Sequence, residues 1–510
     1  MARLPLIPTA HATGLMGLLT LAQPAFADVT AMDVWEDWRS YISGMAYDVS
    51  ADTAMEGQTL TVSNLRIDMK MEEGAGTAAM DLGTVQFTEN GDGTVSIALP
   101  DRMPIVVNMT PPNEDPVTIT MDYGQTGFAM TASGTPSDMQ YVYSADRLEL
   151  ALREIIADGE VMNPDDTAAN MTLSGVAGRT QMTLGALRAY EQSMTAESLR
   201  YGMAFTDPKG EGSARISGGS EALAFTGAGE IPLQVVQADD MAAMLAAGFR
   251  FDGTFTYGAG NSNIAATSPD GPVAGTTTSQ GGSLQIAMSQ EGIAYDVAQT
   301  GLAVNLTSAA APLPIAFEVA DARFNISAPL RKSEEAQDFA FGFTLGDFTL
   351  SELIWGIFDP AAQLPRDPAT IALDLTGKAK ILMDLLDPAN AARMQADDGL
   401  PGELEVLNIN KLQVTAAGAE LTGAGGFTFD NARPTGGMPK PTGAANFKLS
   451  GANALIDTLV AMGLLPQDQA MGARMMMGLF AVPGEAPDTV TSTIEINEEG
   501  HVLANGQRIQ

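Results

Sequence analysis

The chain contains no cysteine, which excludes disulfides, thiolate metal sites, iron–sulfur clusters, cysteine nucleophiles and a lipidated N-terminal cysteine. It has two histidines, His11 and His501, so a Ser-His-Asp device would have to draw on one of them. No serine stands in a G-x-S-x-G elbow, and no G-x-x-x-x-G-K-[ST] phosphate loop occurs. Basic residues are scarce, 26 against 62 acidic ones, and the net charge is −36. The adjacent basic pair Arg331-Lys332 runs straight into Glu334-Glu335. Nucleic acid is therefore not an expected partner, and charge-driven docking onto an anionic membrane face is disfavoured. Beyond the N-terminal region no stretch offers 18 uninterrupted apolar residues, so no transmembrane span is expected in the mature chain.

What the N-terminus does have is the layout of a cleavable secretory signal. Arg3 precedes an uncharged apolar stretch from Ala12 to Ala22, followed by Gln23-Pro24-Ala25-Phe26-Ala27 and then the polar Asp28. The spacing places the cut between Ala27 and Asp28, makes residues 1–27 the signal peptide, and implies a periplasmic location.

The remainder is globular in composition, 45% hydrophobic with 17% charged, and its 53 glycines and 28 prolines fit many short strands joined by turns. Period-two alternation runs through Thr59 to Ser63 and Leu65 to Met71, with a phase slip at Asn64 that a bulge would absorb. Glu89-Asn90-Gly91-Asp92-Gly93 reads as a hairpin turn. Similar alternation recurs at Leu284 to Met288, Ala340 to Leu345, Thr370 to Leu375 and Thr489 to Ile496. The fold class expected is mainly β with a few helices, an extended antiparallel meander or curved sheet whose edges or one end the helices cover.

An apolar-x-apolar-Ser/Thr-Gly motif recurs, ending at Gly175, Gly218, Gly227, Gly377, Gly423 and Gly451, with a looser copy at Gly134. It reads as a strand stopped by a glycine able to turn or bulge. Helices are expected from the capping box Thr30-x-x-Asp33 onward, where Val34, Trp35, Trp38, Tyr41 and Ile42 share a face, and at Asp239 to Ala247, Ser351 to Phe358 and Ala389 to Gln395. The strongest helical signal is a pair within 452–480, broken at Pro466. Gly258 to Ser283, rich in glycine, serine, threonine and asparagine, reads as a linker or mobile loop. It divides a β-rich N-terminal region, 28–257, from a β-rich C-terminal region, 284–510.

Candidate chemistry is thin. Asn90-Gly91-Asp92-Gly93 and Asn163-Pro164-Asp165-Asp166 supply turn oxygens, so calcium (Ca2+) is the cofactor to consider, although neither has the spaced ligand series of an EF-hand loop. His501, after Glu498-Glu499-Gly500, reads as a hairpin-turn residue rather than a catalytic base. The 29 methionines are unusual, and Met475 and Met476 are candidates to line an adaptable apolar groove, the alternative being gap-filling in the core. Trp35 and Trp38 either meet a ligand or membrane surface or pin their helix to the β body.

The last third carries Phe447-Lys448-Leu449-Ser450-Gly451, a run from Ile456 to Pro466, another from Met471 to Phe480, and a closing Asn505-Gly506-Gln507. These stretches resemble the bacterial family known as domain of unknown function 2125, whose members are associated with the Gram-negative envelope. The resemblance implies no catalytic residues. The strand-Gly followed by a Leu-Ile-x-x-Leu helix is more distantly similar to AsmA-like envelope proteins, which implies a long β structure concerned with lipids. The expected protein is a non-enzymatic periplasmic one that binds an apolar ligand, a lipid among the candidates, or an envelope protein. The alternatives are a glycan hydrolase using two carboxylates and a purely structural or interaction protein.

Overall fold

The structure, a computed structural model, describes residues 28–70, 76–109, 115–157, 159–162, 167–207, 212–234, 241–311, 313–387, 390, 401–435 and 438–510. The expected signal peptide with Ala27, the Asn163 to Asp166 turn and, but for Asn390, the helix expected from Ala389 to Gln395 lie outside those residues.

The protein is mainly β with few helices: among the described residues twenty-seven strands belong to one antiparallel sheet. The alternation seen in sequence is the cause, since each strand turns one set of side chains to one face. The slip at Asn64 is a bulge: Asn64 has φ +53° and the register shifts between Val62 and Leu65. At the expected hairpin, Asn90 N donates to Thr94 O at 2.9 Å, and Gly91 and Gly93 take φ +78° and +84°, values that favour glycine. Pairing follows chain order from Asp48–Glu56 to Gln507–Arg508, and among the described residues those two end strands each pair on one side, so the sheet is open.

Two six-strand stretches depart from a plain meander, and they do so identically. The C-terminal half of Gly76–Glu89 pairs with Val95–Ala98 and its N-terminal half with Arg102–Met109. Ala129–Thr135 and Val117–Thr126 continue these two half-width ladders, and both rejoin the long strand Asp138–Ala157. Ser213–Pro232 splits in the same way onto Arg250–Tyr257 and Gly260–Ser268, which continue through Gly281–Ser289 and Gly271–Ser279 and rejoin on Gly292–Ser308. In three of the four long strands that change partner, a residue of positive φ breaks the pleat at the change: Gly83, Ala222 and Gly301.

The second split unit contains the stretch expected as a linker. Residues 258–283 instead carry Gly260–Ser268 and Gly271–Ser279, joined by a two-residue turn at Pro269-Asp270, because Ser268 pairs with Gly271. Small polar side chains on both faces hid these strands in the sequence, while Thr276, Thr277 and Thr278 supplied the β-branched residues.

Five α-helices are described: α1 (Ala31–Gly44), α2 (Met241–Ala246), α3 (Glu352–Phe358), α4 (Ala452–Ala461) and α5 (Gln467–Phe480). The Thr30 capping box forms as the sequence indicates, with Asp33 N donating to Thr30 Oγ1 and Thr30 N to Asp33 Oδ2. Pro466 sits at the N-cap of α5. α4 has no side-chain cap of its own; Asp488 supplies one, accepting from the amides of Asn453 and Ala454. Burial raises the Asp488 carboxyl, but those amides and the Asn453 side chain outweigh it and hold the group below its usual value.

Fully buried packing concentrates at the N-terminal end. Val34 and Trp35 of α1 join Leu60, Val62, Val85, Phe87, Val95 and Ile97 in one cluster, with Trp38 edge-on to Phe87 at 5.4 Å. A second, smaller cluster is built of Ala145, Val176, Ala196 and Leu223. Below α1, Arg188 forms a buried ion pair with Asp37 at 2.5 Å, Tyr141 Oη donates to the other Asp37 oxygen at 2.8 Å, and the Tyr41 ring lies 5.3 Å from the guanidinium. Burial, and then the Asp37 charge, push the Tyr141 phenol well above its ordinary value.

Candidate functional site

Register, not sequence distance, decides which side chains share a face. Stepping from partner to partner across the sheet gives one row that begins Met55, Leu60, Phe87, Ile97, Met130, Tyr143. It continues through Gly178, Met194, Phe225, Phe255 and Leu284. It ends with Val297, Phe324, Phe343, Leu373, Leu412, Gly423 and Phe447. Every member is apolar or glycine except for the hydroxyl of Tyr143.

In the C-terminal half the neighbouring rows of the same face are apolar as well. Tyr295, Ile326, Phe341, Leu375 and Ile409 form one, and Leu345, Ile371, Val414, Leu421, Leu449 and Val490 another. The reverse face is polar, as in the row Asn325, Gly342, Asp374, Lys411. With strands about 4.8 Å apart and same-face residues about 6.8 Å apart, these three rows cover on the order of 600 Å². That is at the upper end of the roughly 300–600 Å² that the largest apolar patch of a monomer covers, and patches of that size are often functional. Among the described residues nothing closes over the centre of the face: Val297, Phe324 and Phe343 remain 40%, 40% and 39% exposed.

Several glycines of the recurrent motif explain the shape of this face. Gly218, Gly227, Gly377 and Gly423 do not end strands, as the motif suggested, but lie inside them. A Cβ on Gly423 would stand 2.6 Å from the Phe447 ring and one on Gly377 would stand 2.5 Å from the Phe339 ring. The rings therefore lie flat across their glycine neighbours, giving a low apolar floor instead of upright side chains. Gly451, with φ +72°, does end its strand, and Gly175, with φ +60°, marks a bulge.

Helices bound the floor at both ends. Trp35 and Trp38 of α1 pack on Phe87 of the long row. At the other end Met476, Met477 and Phe480 of α5 overhang Leu421, Leu449 and Val490 across an apolar cavity of about 390 Å³. Ser492 Oγ and Asn505 Nδ2 both donate to Phe480 O, at 2.6 and 3.0 Å, and tie the end of α5 to the sheet. The four residues singled out from sequence are thus not gathered at one point: the tryptophans sit at the α1 end, Trp35 fully within the core, and Met475 and Met476 at the α5 end, where Met475 faces outward. The floor between them was missed because no single strand reveals it; only the pairing register aligns the rows.

On the polar face a groove of about 710 Å³ is bordered by Glu191, Asp252, Glu291 and Asp338 together with Arg250, which pairs with Glu230 at 2.9 Å. Among the described residues no group of three or more histidine, aspartate or glutamate side chains is placed to hold a metal ion. In the Asn90 to Gly93 turn, hydrogen bonds from Thr94 occupy the Asp92 carboxylate and keep its pKa below the usual range. His501 is in the turn before Val502–Ala504, its amide donating to Asn497 Oδ1. No described helix is long and apolar enough to cross a membrane.

Residues 254–506 match the family model described as "Uncharacterized protein conserved in bacteria (DUF2125)". The match takes in the whole C-terminal half of the apolar floor and the helical pair. No curated protein and no solved structure matches the chain.

Proposed function

We propose that this chain, which over residues 254–506 belongs to the DUF2125 family, is a non-enzymatic periplasmic protein of the bacterial envelope that holds alkyl chains on the apolar floor of its sheet. The observation that carries the reading is the set of aligned apolar rows with an uncovered centre. The chemistry of the floor selects the ligand. A peptide laid on it would bring N–H and C=O groups for which the rows offer almost no partner, at a desolvation cost of about 1–3 kcal/mol each. An alkyl chain carries no such groups, and each buried methylene contributes about 0.8 kcal/mol, so ten contribute about 8 kcal/mol toward the cost of association. Flat rings over glycine suit a thin, flexible chain.

Native mass spectrometry of the protein purified from its own periplasm, with lipid extraction of the same sample, should reveal a bound molecule with an alkyl chain. In a titration with a fluorescent fatty acid, Phe343→Asp combined with Leu373→Asp should weaken binding at least tenfold. Undiminished binding by that variant, with its fold intact by circular dichroism, would rule out the floor as the site.

A further inference from the structure

The apolar floor is interrupted where the two half-width ladders of the second split unit meet. Three rows cross this junction. One runs Tyr257, Gly282, Gln299 and the next Ser220, Gly260, Ser279. The third runs Tyr201, Gly218, Ser262, Thr277. Tyr257 and Leu199, which stands opposite Ser220, pack on the same buried cluster as Tyr143 and Met194 of the long row, and this puts all three rows on the floor side. Apolar rows flank them, with Phe255, Leu284 and Val297 on one side and Ile216, Ile264, Gly275 and Leu306 on the other. The outer two also run on into apolar residues, Gln299 into Ala322 and Leu345, Thr277 into Val304 and Phe317. Both phenols lie down along the sheet: a Cβ on Gly218 would stand 2.7 Å from the Tyr201 hydroxyl, and one on Gly282 would stand 2.6 Å from the Tyr257 ring. Their hydroxyls are thereby carried toward the next strand, where Ser262 and Gln299 stand. All the polar side chains of these rows are half-buried, and among the described residues none of them has a hydrogen-bond partner in the protein.

We infer that this patch receives the head group of the bound amphiphile, and that the head is uncharged and bears hydroxyl or carbonyl groups. The assignment presupposes an alkyl chain on the floor and adds its direction: head at the junction, tail toward Phe343 and Leu373. Hydroxyls and an amide can each donate and accept, so they match a glycerol, sugar or ester head. A phosphate or carboxylate fits poorly. None of these rows contains a lysine or arginine, so seating an anion there would strip water from the charge and supply no counterion. The net charge of −36 adds repulsion. Polar groups gathered at one place also suit a ligand that is polar at one place. A peptide repeats its amides along its whole length and would meet apolar residues on either side of the patch. Beyond Ala322 the first row continues through Leu345 to Val490, about 34 Å from Gln299, which gives the tail its room.

Displacement of diphenylhexatriene, an apolar fluorophore without a head group, tests the assignment. Monopalmitoylglycerol should displace the probe from the wild type at a concentration at least tenfold lower than palmitoyl lysophosphatidic acid, which carries the same chain on a phosphate head. The combined variant Tyr201→Phe/Tyr257→Phe/Gln299→Leu should bind monopalmitoylglycerol at least tenfold more weakly, with the diphenylhexatriene affinity and the urea midpoint of the wild type. Equal displacement by the two lipids, a preference for the phosphate head, or undiminished monopalmitoylglycerol binding by the variant would overturn the head-group assignment and leave the floor standing as an alkyl site. A wild type that binds neither diphenylhexatriene nor either lipid would overturn both readings together.

Discussion

Phe87 and Phe343 stand in the same row of the same sheet, yet Phe87 is fully buried and Phe343 is 39% exposed. The alternation that places them is the same. What differs is the cover: α1 brings Trp35 and Trp38 onto Phe87, whereas nothing among the described residues closes over Phe343. An alternating strand therefore specifies an apolar face but not its burial, and one sheet can use its face as a core at one end and leave it open at the other. The matched family segment coincides with the open end.

The sharpest break of this comparison is a pair of truncations. Phe87→Ala should cost about 3–5 kcal/mol through lost transfer energy and a cavity. Phe343→Ala, already half in water, should cost about 1 kcal/mol or less. Urea unfolding of both variants measures the gap, and equal losses would mean that the C-terminal face is covered in solution.

Next comes the fastening of the cover. Arg188→Ala leaves Asp37 buried without its partner and should cost about 3 kcal/mol. Hydrogen exchange should then show the amides of α1 losing protection before those of the C-terminal strands. Uniform loss of protection across the chain would show that α1 is not held separately.

The smallest effect is alkaline. The folded Tyr141 phenol keeps its proton above the ordinary value of 10.0, at which the unfolded one releases it. Stability from this group is thus complete below about pH 10 and falls as the pH rises beyond it. Tyr141→Phe should start less stable at pH 8, having lost the bond to Asp37, and show a shallower decline between pH 10 and 11 in thermal melts. An unchanged slope would place the alkaline sensitivity on other tyrosines.

Local features of the fold were legible because their causes are local. The Thr30 capping box, the bulge at Asn64 and the break at Pro466 each depend on residues within a few positions of one another. The floor depends on pairing. Leu373 meets Phe343 and Leu412 through two registers, and no property of Leu373 in its own strand announces either partner. The motif glycines misled for the same reason: Gly423 looks like a strand end until Phe447, from the next strand, is laid over it. Gly260 to Ser279 failed in the opposite sense, since composition suggested a linker while neighbours on both sides enforced strands.

The strand order has a consequence for how such a molecule changes over time. Because ladders join sequence neighbours or near neighbours throughout, the sheet behaves as a linear array in which each hairpin depends chiefly on those beside it. Adding or removing one hairpin would change its span by about 10 Å without reassigning any other pairing. Duplication of a whole six-strand unit, of the kind that the two split regions resemble, would do so in larger steps. Length in this architecture is a freely adjustable variable, and the distance between the two capped ends can drift while the chemistry of the face stays constant.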